Sequence, residues 1–174
     1  IPEWLESQLP STRSLEGKKA GVLVMSDRAA KGEYSDESGA VINSLLEDQG
    51  AVLSAYEVIP DEKEAISAAL LRICADKKPA LLIASGGTGP GPRDVTPDVL
   101  SEISDRMMDG LGDLLRSESL HYTDTAWLSR MTAGMIGPTL VIAFPGSPKA
   151  VKECWDILIP FLGNALDKIA KQGF

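Results

Sequence analysis

The sequence predicts an α/β fold, a three-layer α/β/α arrangement around a mostly parallel central sheet. Three observations predict it. Residues 20–25, 80–84 and 139–144 are short, continuous apolar runs, as strands buried on both faces require. Amphipathic helical patterns separate them, so strand and helix alternate along the chain. Each run also ends in a polar or glycine-rich segment, where an open α/β sheet places its binding crevice.

The elements follow in order. Residues 1–18 carry Pro2, Pro10 and Gly17 without a clear period, and read as a linker or arm with one short helical piece at Trp4-Leu5. The domain proper is expected over residues 19–174. After the first strand come Ser26-Asp27-Arg28 and a turn. Asp36 or Ser38 then caps a helix with Val41, Ile42, Leu45 and Leu46 on one face, stopped at Gly50. Residues 51–59 form a second strand in imperfect alternation. Asp61 with Glu64 fits a capping box for the next helix, whose apolar face is Ile66, Ala69, Leu70 and Ile73. Gly110 and Gly112 suggest a helix break, and residues 133–137 read as a small-residue stretch. Ser147 caps the last helix, with Pro148 at its first position; Pro160 is expected to kink or divide it.

Composition bounds the function. A chain of 174 residues fits one domain with a full core. A net charge of −8 argues against a broad nucleic-acid or anionic-membrane surface, yet permits a local pocket for a phosphorylated small molecule. No apolar run approaches the roughly 20 residues that span a bilayer. No signal-peptide pattern is present, so a cytoplasmic location is expected. Cys74 and Cys154 sit among apolar neighbours and read as buried free thiols. With His121 the sole histidine, zinc sites and histidine-dependent triads are disfavoured.

The chemistry concentrates in residues 85–97, Ser-Gly-Gly-Thr-Gly-Pro-Gly-Pro-Arg-Asp-Val-Thr-Pro. Strand, glycine loop and helix make an anion site, because glycines let backbone N–H groups approach a phosphate and the helix adds its positive end. Thr96 reads as the N-cap and Pro97 as the first helical residue. No Gly-Lys-Ser/Thr follows, so the loop is neither a P-loop nor the dinucleotide fingerprint. Asp94 places a carboxylate beside the anion site, which implies a shared divalent cation.

These motifs resemble the molybdopterin adenylyltransferases, the MogA-type bacterial proteins and the related domains of plant and animal molybdenum-cofactor enzymes. The likeness rests on Ser26-Asp27-Arg28 with residues 36–39, on residues 59–62, 85–97 and 144–149, and on Glu118-Ser119-Leu120 and Leu128-Ser129-Arg130. It implies a MoaB/Mog-type fold and Mg²⁺-dependent transfer of AMP from ATP to the terminal phosphate of molybdopterin. It implies Asp61 and Asp94 as catalytic residues, both reaching Mg²⁺ through substrate phosphates. Gly86, Gly87, Thr88 and Gly89 match the phosphate cradle. Ser119, Ser129 and Arg130 match pterin-holding positions, while Ser26, Asp36, Pro145, Gly146 and Ser147 line the crevice. A homotrimer is implied, with contacts to other cofactor-synthesis or insertion enzymes. The sequence departs from the family pattern at Ser147 and Asp98, which keep hydrogen-bonding capacity. A non-catalytic molybdopterin-binding module of MoaB type, or a scaffold, shares much of the pattern, as does nucleotide cleavage of CinA type. The pair Asp61 and Asp94 favours the enzyme.

Overall fold

The computed structural model describes residue 3, residues 13–33 and residues 35–173. The helical piece expected at Trp4-Leu5 lies outside the described residues.

The central sheet has six strands: β1 (Lys19–Met25), β2 (Val52–Ile59), β3 (Leu81–Ser85), β4 (Arg106–Met107), β5 (Ala133–Ile136) and β6 (Thr139–Phe144). Their order is β2-β1-β3-β6-β5-β4. The first four in that order run parallel, and β5 and β4 add an antiparallel edge. The helices are α1 (Asp27–Ala30), α2 (Glu37–Asp48), α3 (Lys63–Asp76), α4 (Thr96–Ile103), α5 (Asp109–Ser119) and α6 (Pro148–Ala170), with a 3₁₀ turn over Asp124–Leu128.

The period of two along each central strand builds two cores. Val22, Val24, Leu81, Ile83, Leu140, Ile142 and Phe144 face α2, α5 and α6 through Ile42, Leu46, Leu115, Val151, Trp155 and Leu158. Leu23, Met25, Leu82, Ala84, Val141 and Ala143 face α3 and α4 through Ile66, Leu70, Ile73, Val99 and Leu100. This is the three-layer arrangement the alternation predicts. The weak alternation of β2 follows from its place at the sheet edge, where Val52 and Tyr56 remain exposed.

Several local expectations need correction. The stretch Ala133–Ile136 is a strand, fully buried and paired antiparallel to β6. Gly137, at φ +53, opens the two-residue turn between them, the position a hairpin reserves for glycine. Gly110 and Gly112 do not break a helix but sit in the first turns of α5. A Cβ at Gly112 would stand 2.6 Å from the Met131 carbonyl, so glycine lets α5 lie against that backbone. α6 is not divided at Pro160. The proline forfeits one backbone bond, at about 3 kcal/mol. Leu158, Ile159, Leu162 and Leu166 are buried on either side of it. Each contributes about 1.5–3 kcal/mol by leaving water, and together they outweigh the loss.

The end of the expected linker is part of the body. Leu15 is 1% exposed and belongs to the α2/α6 core. Its N–H donates to the Gln49 carbonyl at 3.1 Å, and the Ser14 N–H donates to Gln49 Oε1 at 3.1 Å. Leu15→Ala is expected to cost about 2–4 kcal/mol, lowering Tm by roughly 5–15 °C in a thermal melt followed by circular dichroism. A free linker would leave Tm unchanged.

Candidate active site

The parallel strands β2, β1, β3 and β6 deliver their C-terminal ends to one rim of the sheet. The chain leaves β1 toward β2 on one side and returns to β3 on the other, which opens a crevice between the two outgoing segments. Asp27 and Asp61, the glycine loop, and Pro145 to Ser147 therefore meet at that rim.

The loop is braced from below. Gly86 and Gly87 have φ +111 and +63, a region open to glycine. Thr96 is fully buried and donates its hydroxyl to the Gly86 carbonyl at 2.9 Å, while its N–H donates to the Gly87 carbonyl at 3.2 Å. Thr96 is thus a loop brace and not the N-cap. Val95 holds the cap position of α4, and Pro97 is its second residue. The buried hydroxyl has an acceptor within the loop, and that bond replaces the cap.

Asp94 closes the loop on itself. Its Oδ2 accepts from the Gly91 N–H at 2.9 Å, and its own N–H donates to the Gly91 carbonyl at 3.0 Å. A Cβ at Gly89 or Gly91 would lie 2.7 Å from that Oδ2, so the glycines make room for the carboxylate as well as for a ligand.

Arg130 holds the loop from outside. Its guanidinium forks onto Asp98 at 2.5 and 3.2 Å and donates to the Asp94 carbonyl at 2.8 Å. Its backbone N–H donates to the Thr88 carbonyl at 2.7 Å. The guanidinium hydrogen bonds hold the Asp98 carboxyl below its usual range. Arg130→Ala is expected to raise amide exchange over residues 87–94 about tenfold, and Asp98→Ala to reproduce most of that rise. Hydrogen exchange read by mass spectrometry checks both; a silent Asp98→Ala would detach the pair from loop order.

Asp61 does not cap α3. Glu62 occupies the cap position without a side-chain bond. Asp61 turns instead to the end of β1 in a reciprocal exchange. Its Oδ2 accepts from the Asp27 N–H at 3.3 Å, and its N–H donates to Asp27 Oδ1 at 2.9 Å. Asp27 also pairs with Arg93 at 2.6 Å. Burial pushes the Asp61 carboxyl up; the Asp27 N–H opposes that shift, while the charges of Asp27 and Asp94 reinforce it. The Asp61 N–H, helped by Arg93, holds the Asp27 carboxyl below its usual range.

A cavity of about 390 Å³ opens over the loop. Gly87, Thr88, Gly89, Asp94, Ser119, Ser129, Pro145, Gly146 and Ser147 line it, bringing together nine of the expected positions. Ser119 is buried at the end of α5. Ser147 caps α6 by accepting from the Ala150 N–H at 3.2 Å. Ser26 and Asp36 line a smaller hollow of about 120 Å³ that shares Gly146 with the main cavity. There Ser26 caps α1, and Asp36 caps α2 while accepting from the Tyr56 hydroxyl. Asp61 faces a third, open hollow with Arg93. Gly86 and Arg130 stand behind the loop and do not line the main cavity.

Thr123, Thr125, Leu128, Glu153 and Cys154 also line the main cavity, and the sequence reading missed them. For the last two a signal existed. Ser147, Ala150, Glu153 and Cys154 fall at i, i+3, i+6 and i+7, one face of a helix that begins at the rim.

Comparisons with known proteins point to one family for the chain. A family model described as "Probable molybdopterin binding domain" matches residues 21–164. The chain belongs to this family. A Helicobacter pylori (strain J99) protein named molybdopterin adenylyltransferase is 38% identical over 151 residues, 86% of each chain. The Escherichia coli K12 protein of the same name is 36% identical over 152 residues, covering 85% of this chain and 77% of its own. The crystal structure of the molybdopterin biosynthesis enzyme MoaB from Thermus thermophilus superposes with a TM-score of 0.82 at 36% identity, covering 88% of this chain and 97% of that one. The present chain carries the glycine loop, Asp61, Asp94 and the serine-lined cavity along one rim of its sheet. Among the described residues no helix is long and apolar enough to cross a membrane.

Proposed function

We propose that this protein is a molybdopterin adenylyltransferase acting in molybdenum cofactor biosynthesis. It transfers AMP from ATP to the terminal phosphate of molybdopterin. A phosphate oxygen of the pterin attacks the α-phosphorus, the bond from that phosphorus to the bridging oxygen breaks, and pyrophosphate leaves with the electron pair. The observation that carries this reading is the cavity over the loop, which brings glycine backbone, the Asp94 carboxylate and three serine hydroxyls to one place.

The attacking phosphate is already anionic, so the protein's work is to position two anions and offset their charge. Gly87 to Gly89 present backbone to the phosphates. Ser119 and Ser129 hold the pterin substrate, and Ser147 fixes the start of α6 beside them. Arg130 acts through the loop that it clamps. Mg²⁺ bound with nucleotides needs only one or two carboxylates plus phosphate oxygens, and Asp94 offers a carboxylate beside the loop. Asp94 would hold the ion, with Asp61 orienting substrate or metal from the neighbouring hollow, and the ion would supply charge neutralisation on the triphosphate and leaving pyrophosphate. Asp94 has room for this, because among the described residues none donates to its Oδ1. The same reading includes a homotrimer in the cytoplasm, with other cofactor-synthesis or insertion enzymes as partners.

The likeness to a MoaB structure favours one second reading, a module that binds molybdopterin without turnover. An anaerobic single-turnover reaction with molybdopterin, Mg²⁺ and α-labelled ATP separates them. Label moving onto the pterin supports transfer. Tight pterin binding with no label moved, from ATP shown active with another transferase, leaves the binding module.

A further inference from the structure

We infer that Glu153 is the specificity residue for the pterin ring, accepting hydrogen bonds from its 2-amino and N3–H edge. This inference rests on the proposed function and deepens it.

The cavity holds two carboxylates among its lining residues, Asp94 and Glu153. Asp94 belongs to the phosphate end. Glu153 lies six residues beyond the Ser147 cap, so along α6 it sits about 9 Å from the rim. Its side chain is 17% exposed, and its ion pair with Lys149 spans 3.7 Å to a lysine 85% exposed. Such a surface lysine does little to neutralise a carboxylate in a cavity.

A carboxylate there is unfavourable toward an anionic ligand unless the ligand presents donors to it. A ligand carrying phosphate at one end and a 2-amino-4-oxopyrimidine at the other meets that condition. Its phosphate takes the loop and the rim. Its ring edge offers two parallel N–H groups, the guanidine-like pattern that a carboxylate accepts in pairs. The rise of about 9 Å along α6 sets Glu153 apart from the Ser147 rim and leaves length between them for a ring system. Ser119, Thr123, Ala150 and Cys154 line the same cavity. Burial pushes the Cys154 thiol up to about 12, so it stays neutral and adds no charge to repel the carboxylate's ligand.

The experiment compares two rings that differ at one edge. Pterin presents an amino donor at position 2, and lumazine presents a carbonyl there. Binding of each to the intact chain is followed by ring fluorescence or calorimetry, for wild type, E153Q and K149Q. Wild type is expected to prefer pterin by about tenfold or more, since a site built to accept N–H bonds rejects an analogue lacking them. E153Q, nearly isosteric, is expected to bring the ratio to within about threefold. K149Q removes the same ion pair and keeps the wild-type ratio. A ratio within one variant is insensitive to any loss of folded protein. Wild-type preference retained in E153Q overturns this inference alone. Wild type binding neither ring overturns the functional reading and the inference with it.

Discussion

Asp94→Asn is expected to lower the single-turnover rate of adenylyl transfer by about 10³-fold or more while leaving molybdopterin affinity within about threefold. The asymmetry comes from what the side chain does in the loop. Asn keeps an oxygen able to accept from the Gly91 N–H, now met at 2.9 Å by Oδ2, and it fits the space that Gly89 and Gly91 leave. The loop therefore keeps its shape and loses only the charge. Asp94→Ala loses both, so its rate falls at least as far and its loop loosens as well. Quenched-flow with α-labelled ATP gives the rate, and equilibrium binding of molybdopterin gives the affinity. A rate within tenfold of wild type in Asp94→Asn would remove Asp94 from the chemistry and leave the transfer to other groups at the rim.

Gly86→Ala is expected to destabilise the protein by about 3 kcal/mol or more, a Tm loss of roughly 6–12 °C, and to abolish transfer in the protein that remains folded. Gly86 sits at φ +111, where an L side chain is strained in any surroundings. Its Cβ would also stand 2.5 Å from the Met25 carbonyl. That atom is backbone at the end of a central strand, so relief must come from the loop. Moving the loop breaks the bond from Thr96 to the Gly86 carbonyl, on which the phosphate end depends. Gly110→Ala is the control. A Cβ there meets nothing within 4 Å, and the site is helical. It is expected to be neutral or to stabilise by up to about 1 kcal/mol. Thermal melts of the two variants side by side check the pair; equal losses would show that the strain argument is wrong.

Strong local signals made much of this legible from the chain alone. Continuous apolar runs marked β1, β3 and β6 because a strand buried on both faces has no polar alternation to hide. The glycine loop with Asp94, and the Ser147-Pro148 start of α6, were readable because caps and glycines act within a few residues. Nine of the expected site positions do line one cavity, a set supplied largely by the family resemblance and not by local signals alone.

The misreadings share one cause, since each required knowing what lies opposite. Ala133–Ile136 looks like a small-residue stretch until β6 pairs with it. Thr96 looks like a cap until the Gly86 carbonyl takes its hydroxyl. Asp61 fits a capping box, but Asp27, 34 residues away, takes up its carboxylate. Arg130 matches a pterin-holding position by resemblance, and the fold sets its guanidinium behind the loop on Asp98 and the Asp94 carbonyl. Glu153 shares a helix face with Ser147, but that face becomes a cavity wall only when α6 packs on the sheet. The layers, the loop and the residue types at the rim were written in the chain, because they follow from local sterics and hydrophobic period. Which of those side chains face the ligand and which brace the loop was settled by folding, because a hydrogen bond goes to whichever partner the packed chain brings within about 3 Å.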